Sequence, residues 1–131
     1  MIELKHPFTC SADTLWAIMG DPSRYDWVPG VTSLLMEANV RTMQMAGAGQ
    51  VSERIFERDA ERRHLAYGVI ESTPPLAHHR ASMTVDPSGE GCMLTWRTEV
   101  EPTAVEPFIE QSMQACLAQL ERLTGGSEAS T

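Results

Sequence analysis

The stretch that decides the fold lies near the end of the chain, at residues 105–123, VEPFIEQSMQACLAQLERL. Its apolar side chains recur at spacings of three and four residues, which is the period of one helix face. Thr103 and Glu106 have the capping-box spacing, but proline is favoured at the first position of a helix, so Pro107 is the better candidate for the first helical residue. The pattern predicts a long C-terminal helix with one broad stripe: Val105, Phe108, Ile109, Ser112, Met113, Cys116, Leu117, Leu120 and Leu123.

Most of the chain before this helix has the pattern of strands joined by short turns. We expect strands at 2–8, 34–37, 40–45, 50–58, 64–70, 78–85 and 93–100. After the first strand, Ser11 or Asp13 can cap a short helix that runs through Met19. A second short helix can start at 21–22 and continue through 25–27. About seven strands in mostly meander order predict an antiparallel sheet in an α+β protein.

This sheet is hydrophobic on one face, and that face has to be covered. Only the C-terminal helix is long enough to cover it. A strongly twisted sheet wrapped around one helix does not meet the helix everywhere, so we expect a groove or cavity between them. No linker divides the chain, which predicts one domain over residues 1–124 and a flexible tail at 125–131.

Composition excludes several classes of function. The net charge is -8, with ten basic residues scattered among eighteen acidic ones, so nucleic acid and anionic membrane surfaces are unsuitable partners. No apolar segment approaches the length of a membrane span, so stable membrane insertion is not expected. The three cysteines lie far apart without CxxC spacing, as in reduced intracellular proteins. The chain begins without a signal-peptide pattern, and we expect a cytoplasmic location.

Strand alternation sorts the side chains into an inner and an outer face. The predicted inner wall is apolar and methionine-rich, and its polar members are Glu53, Tyr67, Glu71 and His79. The rest of this wall includes Met43, Met45, Val69, Ala81, Met83 and Trp96. Because neighbouring strand residues point to opposite faces, His78 and His79 cannot jointly hold one metal ion, and only His79 faces inward.

Each polar candidate also has a structural interpretation. A single inward histidine is more often a hydrogen-bonded core residue than a catalyst, and a stripe of methionines and aromatics is more often simple core. A carboxylate that faces an apolar interior costs several kcal/mol unless it is paired, hydrated or protonated. Arg41 on the neighbouring strand is a candidate partner for Glu53. The sequence leaves open whether Glu53 lies in a solvated pocket or in a structural ion pair.

Five motifs resemble the polyketide cyclase/dehydrase branch of the START-like (SRPBCC) superfamily. They are DPSRYDWVPGV at 21–31, VRTM at 40–43, GQVSERIFERD at 49–59, YGVIESTPPLAHHRASMTV at 67–85 and TWRTEVEP at 95–102. The resemblance covers about residues 2–123. It implies the helix-grip fold, in which a curved antiparallel sheet wraps around a long C-terminal helix and encloses a hydrophobic cavity.

The same region is similar to the plant abscisic-acid receptors, which implies positions for a ligand pocket and two loops over it. The gate loop falls on 46–50 and the latch loop on 72–78. The implied pocket positions are Met43, Met45, Glu53, Tyr67, Val69, His79, Ala81, Phe108 and Ser112. Asn39 replaces the usual glycine, and the gate AGAG lacks the proline of the receptors. Their partner-binding function is therefore not transferred.

Three hypotheses for the function follow. The first is binding of a small hydrophobic or aromatic molecule of the lipid, polyketide or isoprenoid type. The second is a polyketide cyclase/dehydrase-like enzyme, in which Glu53 or His79 acts as base and Tyr67 as proton donor or oxyanion partner. The third is a protein-interaction module. The chain has no phosphate loop, nucleophile motif or metal-ligand spacing, so we expect no cofactor and no metal. We also expect a monomer or a homodimer.

Overall fold

The structure is a computed structural model that describes residues 1–125. The predicted tail at 125–131 lies outside the described residues, apart from Gly125. The elements of the described chain are β1 (Ile2–Phe8), α1 (Ala12–Met19), β2 (Val31–Glu37), β3 (Val40–Met45), β4 (Gly49–Asp59), β5 (His64–Glu71), β6 (His78–Ser88), β7 (Gly91–Glu101), a 3-10 turn (Thr103–Val105) and α2 (Glu106–Leu123). Pro107 lies in the first turn of α2, as its fixed φ and missing N–H predict.

The strands form one antiparallel sheet of seven strands in the order β1-β7-β6-β5-β4-β3-β2. Consecutive strands pair from β2 to β7, and β1 pairs with β7, so β1 and β2 are the two edges of the sheet. The register shifts twice in the β4–β5 pairing, once between Ser52 and Glu53 and once between Ile55 and Glu57. Such bulges bend a strand and increase its twist. The predicted helix-grip fold, with a curved sheet around a long C-terminal helix, is confirmed.

One of the two short helices expected after β1 is present. The hydroxyl of Ser11 accepts a hydrogen bond from the Thr14 N–H at 3.1 Å and caps α1. The second expected helix, at 21–27, is instead a pair of turns. The Asp21 carboxylate accepts hydrogen bonds from the N–H of Ser23 at 3.0 Å and from its hydroxyl at 2.7 Å. Such bonds can also begin a helix, but the backbone of this segment makes only isolated i→i+3 hydrogen bonds, which close turns and do not continue into a helix.

The hydrophobic core lies at one end of the sheet, beneath α1 and the C-terminal half of α2. Leu120 is fully buried there, as are Leu15 of α1, Met83 of β6 and Leu94 of β7. At the other end of α2, Phe108 is 72% exposed. The apolar stripe of α2 therefore serves two regions, a packed core along its C-terminal half and a more open region along its N-terminal half.

The division of α2 can be tested with two alanine substitutions on the same helix. Leu120→Ala should lower the free energy of unfolding by about 2–5 kcal/mol, because it leaves a cavity in a packed core. Phe108→Ala should change it by less than about 0.5 kcal/mol, because that side chain is mostly exposed. Denaturant unfolding measures both values. Equal losses in the two variants would contradict the division.

Candidate functional site

A cavity of about 410 Å³ lies between the N-terminal half of α2 and the inner faces of β2, β3, β4 and β5. It forms where the curved sheet separates from the helix. The strands contribute apolar side chains to its wall, namely Leu34, Met43, Met45, Val51 and Val69. The facing stripe of α2 contributes Phe108, Ile109, Ser112, Met113 and Cys116. Trp96 and Thr98 of β7 also line it.

Four segments that connect the strands and helices also line the cavity. Residues 24–28 contribute Arg24, Tyr25, Trp27 and Val28, and Val105 lies just before α2. Ala48 belongs to the expected gate, and the expected latch supplies Ser72, Thr73, Pro74 and Leu76. Within the latch, the Ser72 hydroxyl donates to the Pro74 carbonyl at 2.9 Å. The two loops inferred from the resemblance therefore lie beside the cavity, and their gating role stays a prediction.

Most of the predicted ligand-binding residues come together around this cavity: Met43, Met45, Glu53, Tyr67, Val69, His79, Trp96, Phe108 and Ser112. Ala81 and Met83 do not line it. They are 1% and 0% exposed and belong to the hydrophobic core, because β6 runs from the cavity toward the core end of the sheet. Their predicted role in ligand binding is thus replaced by a role in packing.

Glu71 was also expected on the inner wall, but it is exposed and does not line the cavity. The cause is the bulge in the β4–β5 pairing. Val69 pairs with Glu53, whereas Glu71 pairs with Ser52, so two steps along β5 correspond to one step along β4. Glu71 therefore lies opposite an outer-face residue, and strict alternation placed it on the wrong side.

Several cavity residues were not predicted as ligand-binding. Ile109, Met113 and Cys116 lie on the same helical stripe as Phe108 and Ser112, so the sequence did contain the signal for them. Trp27, by contrast, comes from a turn whose approach to the cavity depends on tertiary packing. Its indole N–H donates to the Arg24 carbonyl at 3.2 Å, and its ring lies 6.0 Å from that of Trp96.

An ion pair between Arg41 and Glu53 forms one side of the polar end of the cavity. The two residues are direct partners across β3 and β4, and Nε of Arg41 donates to Oε1 of Glu53 at 2.7 Å. Their side chains are only 6% and 13% exposed. The Arg41 guanidinium also donates to the Pro22 carbonyl at 3.3 Å and lies 4.9 Å from the centre of the Tyr67 ring. The expected partner of Glu53 is therefore in place.

The Tyr67 hydroxyl lies at the same end of the cavity. Its oxygen accepts a hydrogen bond from the indole N–H of Trp96 at 3.2 Å. Burial raises the pKa of Tyr67 well above its usual value, and the nearby Glu53 carboxylate raises it further. The phenol is therefore neutral at physiological pH. It can donate a hydrogen bond into the cavity, and it cannot act there as a base.

His79 lies where β5 and β6 separate. The last backbone pair between these strands is Tyr67 with Ala81, and the next inward N–H, that of Val69, donates to Nδ1 of His79 at 3.1 Å. The backbones are so close that a Cβ on Gly68 would clash with the His79 carbonyl oxygen. The imidazole thus continues the pairing of the two strands. Since Nδ1 accepts, the neutral ring carries its proton on Nε2.

Burial lowers the pKa of His79, and His78 lowers it further, while Glu53 opposes both effects. Burial likewise raises the pKa of the Cys116 thiol to about 12, with a further contribution from Glu53. The Cys116 thiol is therefore protonated and a poor nucleophile. Glu53 acts electrostatically on Tyr67, His79 and Cys116, so these groups form one polar cluster in a largely apolar wall.

Within residues 1–125, no group of three or more His, Cys, Asp or Glu side chains is arranged to hold a metal ion. Over the same residues, no helix has both the length and the apolar character that crossing a membrane requires.

The Arg41–Glu53 pair can be tested by stability measurements. Arg41→Met should lower the free energy of unfolding by about 3–5 kcal/mol, because it leaves a carboxylate without its partner in a buried position. The double variant Arg41→Met/Glu53→Leu should recover most of this loss. Denaturant unfolding at neutral pH measures both. A cost below about 1 kcal/mol for Arg41→Met would show instead that water in the cavity solvates Glu53 adequately.

The burial of His79 predicts a pH dependence of stability. Its folded pKa lies below the value of 6.5 for an exposed imidazole, so the unfolded chain binds a proton that the folded chain does not. As pH falls from about 7 toward about 5, the wild type should therefore lose stability relative to His79→Gln, by at most about 1.4 kcal/mol per pH unit. Unfolding titrations at several pH values measure this difference.

The adjacent histidine provides a matched control for that experiment. The side chain of His78 is 46% exposed and does not line the cavity. His78→Gln should retain most of the pH dependence of the wild type, because burial is the largest cause of the lowered pKa of His79 and His78 is the smallest. If His79→Gln and the wild type showed parallel pH profiles, the lowered pKa of His79 would be contradicted.

The chain is similar to several solved structures and to one protein family. No match was found among curated protein sequences. Three similar solved structures are the protein XoxI from Bacillus cereus, an uncharacterised protein from Bacillus thuringiensis, and norcoclaurine synthase from Thalictrum flavum in complex with dopamine and hydroxybenzaldehyde.

The XoxI comparison has 16% identity, a TM-score of 0.86 and coverage of 97% of this chain and 96% of that chain. The Bacillus thuringiensis protein has 14% identity and a TM-score of 0.84, with coverage of 94% of this chain and 97% of that chain. Norcoclaurine synthase has 21% identity and a TM-score of 0.74, with coverage of 93% of this chain and 84% of that chain. At these identities the likeness shows a shared fold. The sequence model of one family, described as polyketide cyclase / dehydrase and lipid transport, matches residues 2–125. The chain belongs to this polyketide cyclase/dehydrase and lipid transport family.

Proposed function

We propose that the protein binds a small, largely apolar molecule in the cavity between the sheet and α2. The observation that carries the proposal is the cavity itself, about 410 Å³ in volume, with an apolar wall and one cluster of polar groups. Concave sites of this size, with few convergent polar groups, are typical of small-molecule binding. Met43, Met45 and Met113 in the wall favour a tolerant fit, because methionine adapts to irregular shapes.

The comparisons support a ligand of this kind. The family description includes lipid transport as well as cyclases and dehydrases. The norcoclaurine synthase structure contains two small aromatic molecules, dopamine and hydroxybenzaldehyde. For the present chain, we infer a hydrophobic or aromatic ligand of the lipid, polyketide or isoprenoid class. Trp96 and Tyr67 beside the polar cluster offer the aromatic surface that such a ligand would contact.

A cyclase-type enzyme is the second candidate, and one observation favours it. The second carboxylate oxygen of Glu53, Oε2, forms no hydrogen bond with any part of residues 1–125, and Glu53 lines the cavity. A carboxylate oxygen open to a ligand could act as a general base. His79 is less suited to that role, because Nδ1 already accepts from the Val69 N–H. Tyr67 could serve as a hydrogen-bond donor to the reacting group.

The catalytic alternative has a direct test. Small molecules released on denaturation of the natively purified protein would be identified by mass spectrometry and then assayed for conversion. If the protein is an enzyme, Glu53→Gln should abolish turnover and retain binding, since glutamine can still accept from Arg41 but cannot act as a base. Absence of conversion by the wild type would leave the carrier function.

The binding proposal predicts that filling the cavity prevents binding. Ser112→Trp places a large side chain on the cavity face of α2, whereas Ala115→Trp adds the same side chain at an exposed position on that helix, outside the cavity. With acetylnaphthalene as the probe, Ser112→Trp should weaken binding by at least about tenfold, because the probe loses most of its apolar contacts. Ala115→Trp should bind as the wild type does. Isothermal titration calorimetry measures the affinities.

Two outcomes would overturn this proposal. One is equal binding of the probe by both tryptophan variants, which would place the probe elsewhere on the surface. The other is no binding by the wild type to this probe or to neutral lipids of similar size. A protein-interaction module would instead tolerate Ser112→Trp and lose its partner on substitutions at the rim.

A further inference from the structure

We propose that the polar end of the cavity is a donor site for one uncharged oxygen acceptor, the carbonyl of a ketone, aldehyde, ester or quinone, with Tyr67 and His79 as the donors. This inference rests on the proposed function, since it names the class of molecule that the same cavity would bind. It adds a requirement that an apolar cavity alone does not impose, namely a carbonyl oxygen on the ligand.

The first donor is the hydroxyl of Tyr67. Its oxygen already accepts the indole N–H of Trp96 at 3.2 Å, which fixes its position. The hydroxyl hydrogen has no acceptor within residues 1–125 and lies on a residue that lines the cavity. A buried hydroxyl whose hydrogen is unpaired gains from an acceptor supplied by a ligand.

The second donor is Nε2–H of His79. The Val69 N–H occupies Nδ1 at 3.1 Å and thereby assigns the proton to Nε2. Nε2 makes no hydrogen bond with the described part of the chain. In that part of the chain, every side-chain nitrogen or oxygen that solvent cannot reach has a hydrogen-bond partner. Because Nε2 has none, it must be accessible. Since His79 lines the cavity, this N–H is available to a ligand.

The two donors belong to the same end of the cavity, since the Tyr67 and His79 rings lie 6.2 Å apart between centroids. Charge then restricts the acceptor. Arg41 is paired with Glu53 at 2.7 Å, so the one buried cation of this cluster is already neutralised. A ligand carboxylate would meet the Glu53 charge without a free cation to balance it. An uncharged carbonyl oxygen avoids this cost and satisfies the donors.

Three probes with the same ring system test the inference. Acetylnaphthalene carries a carbonyl, isopropenylnaphthalene has the same shape with a CH₂ group in place of the oxygen, and naphthoic acid carries a carboxylate. In a cavity without donors the alkene would bind tighter than the ketone, because the ketone loses its hydrogen bonds to water. We expect the wild type to prefer the ketone over the alkene by about tenfold and over the carboxylate by at least as much.

Two variants assign that preference to its donors. Tyr67→Phe and His79→Leu should each reduce the ketone-to-alkene affinity ratio by about threefold or more. The double variant should reduce it to one or below. His78→Leu, which changes the adjacent exposed histidine, should retain the wild-type ratio. Because each ratio compares two ligands on one variant, a general loss of stability or of cavity shape affects both affinities and largely cancels.

The outcomes separate this inference from the proposed function. A ketone preference that depends on Tyr67 and His79 supports both. Binding of ketone and alkene with equal affinity, or tighter binding of the alkene, would overturn the donor site and leave the cavity as a ligand site. Tighter binding of naphthoic acid would overturn the choice of an uncharged acceptor. Failure of the wild type to bind any of the three probes would overturn the proposed function together with this inference.

Discussion

The packing of one helix against a seven-stranded sheet is the constraint on which the rest of this structure depends. The apolar stripe of α2 is continuous, but the sheet curves away from its N-terminal half. Leu117 and Leu120 therefore pack in a sealed core, whereas Phe108 and Ser112 border a cavity. Met113 and Cys116 belong to both regions, and they mark the boundary between the part of the helix that packs in the core and the part that borders the cavity.

At the polar end of the cavity, side chains satisfy a backbone N–H and two charges that the curved sheet would otherwise leave without partners. The separation of β5 from β6 leaves a backbone N–H without a strand partner, and His79 supplies the acceptor. The pair of Arg41 with Glu53 keeps charges inside the wall without a net charge. Both arrangements are structural, and both also determine what a ligand meets. The position of the His79 ring follows from where β5 and β6 separate, and the charge balance of this end follows from the pairing of Arg41 with Glu53 across β3 and β4.

The sequence predicted the order of the strands, the first short helix, the long helix and most of the cavity wall, because alternation and helical period depend on local spacing. It misplaced Glu71, since a bulge in β4–β5 pairing shifts the register by one residue and no local pattern reveals it. It assigned Ala81 and Met83 to the cavity, because alternation gives the face of a strand and not the point at which the helix leaves the sheet. The contribution of Trp27 required the packed structure.

The central claim is that the space beneath the N-terminal half of α2 receives a ligand, and the eight methionines provide the probes to test it. Met43, Met45 and Met113 line the cavity, whereas Met19 and Met83 are fully buried elsewhere. The most direct measurement is the methyl NMR spectrum of methionine-labelled protein during titration with acetylnaphthalene. The account predicts saturable shifts of the three cavity methyls and little change in Met19 and Met83. Shifts confined to methionines outside the cavity, or no shifts at all, would contradict it.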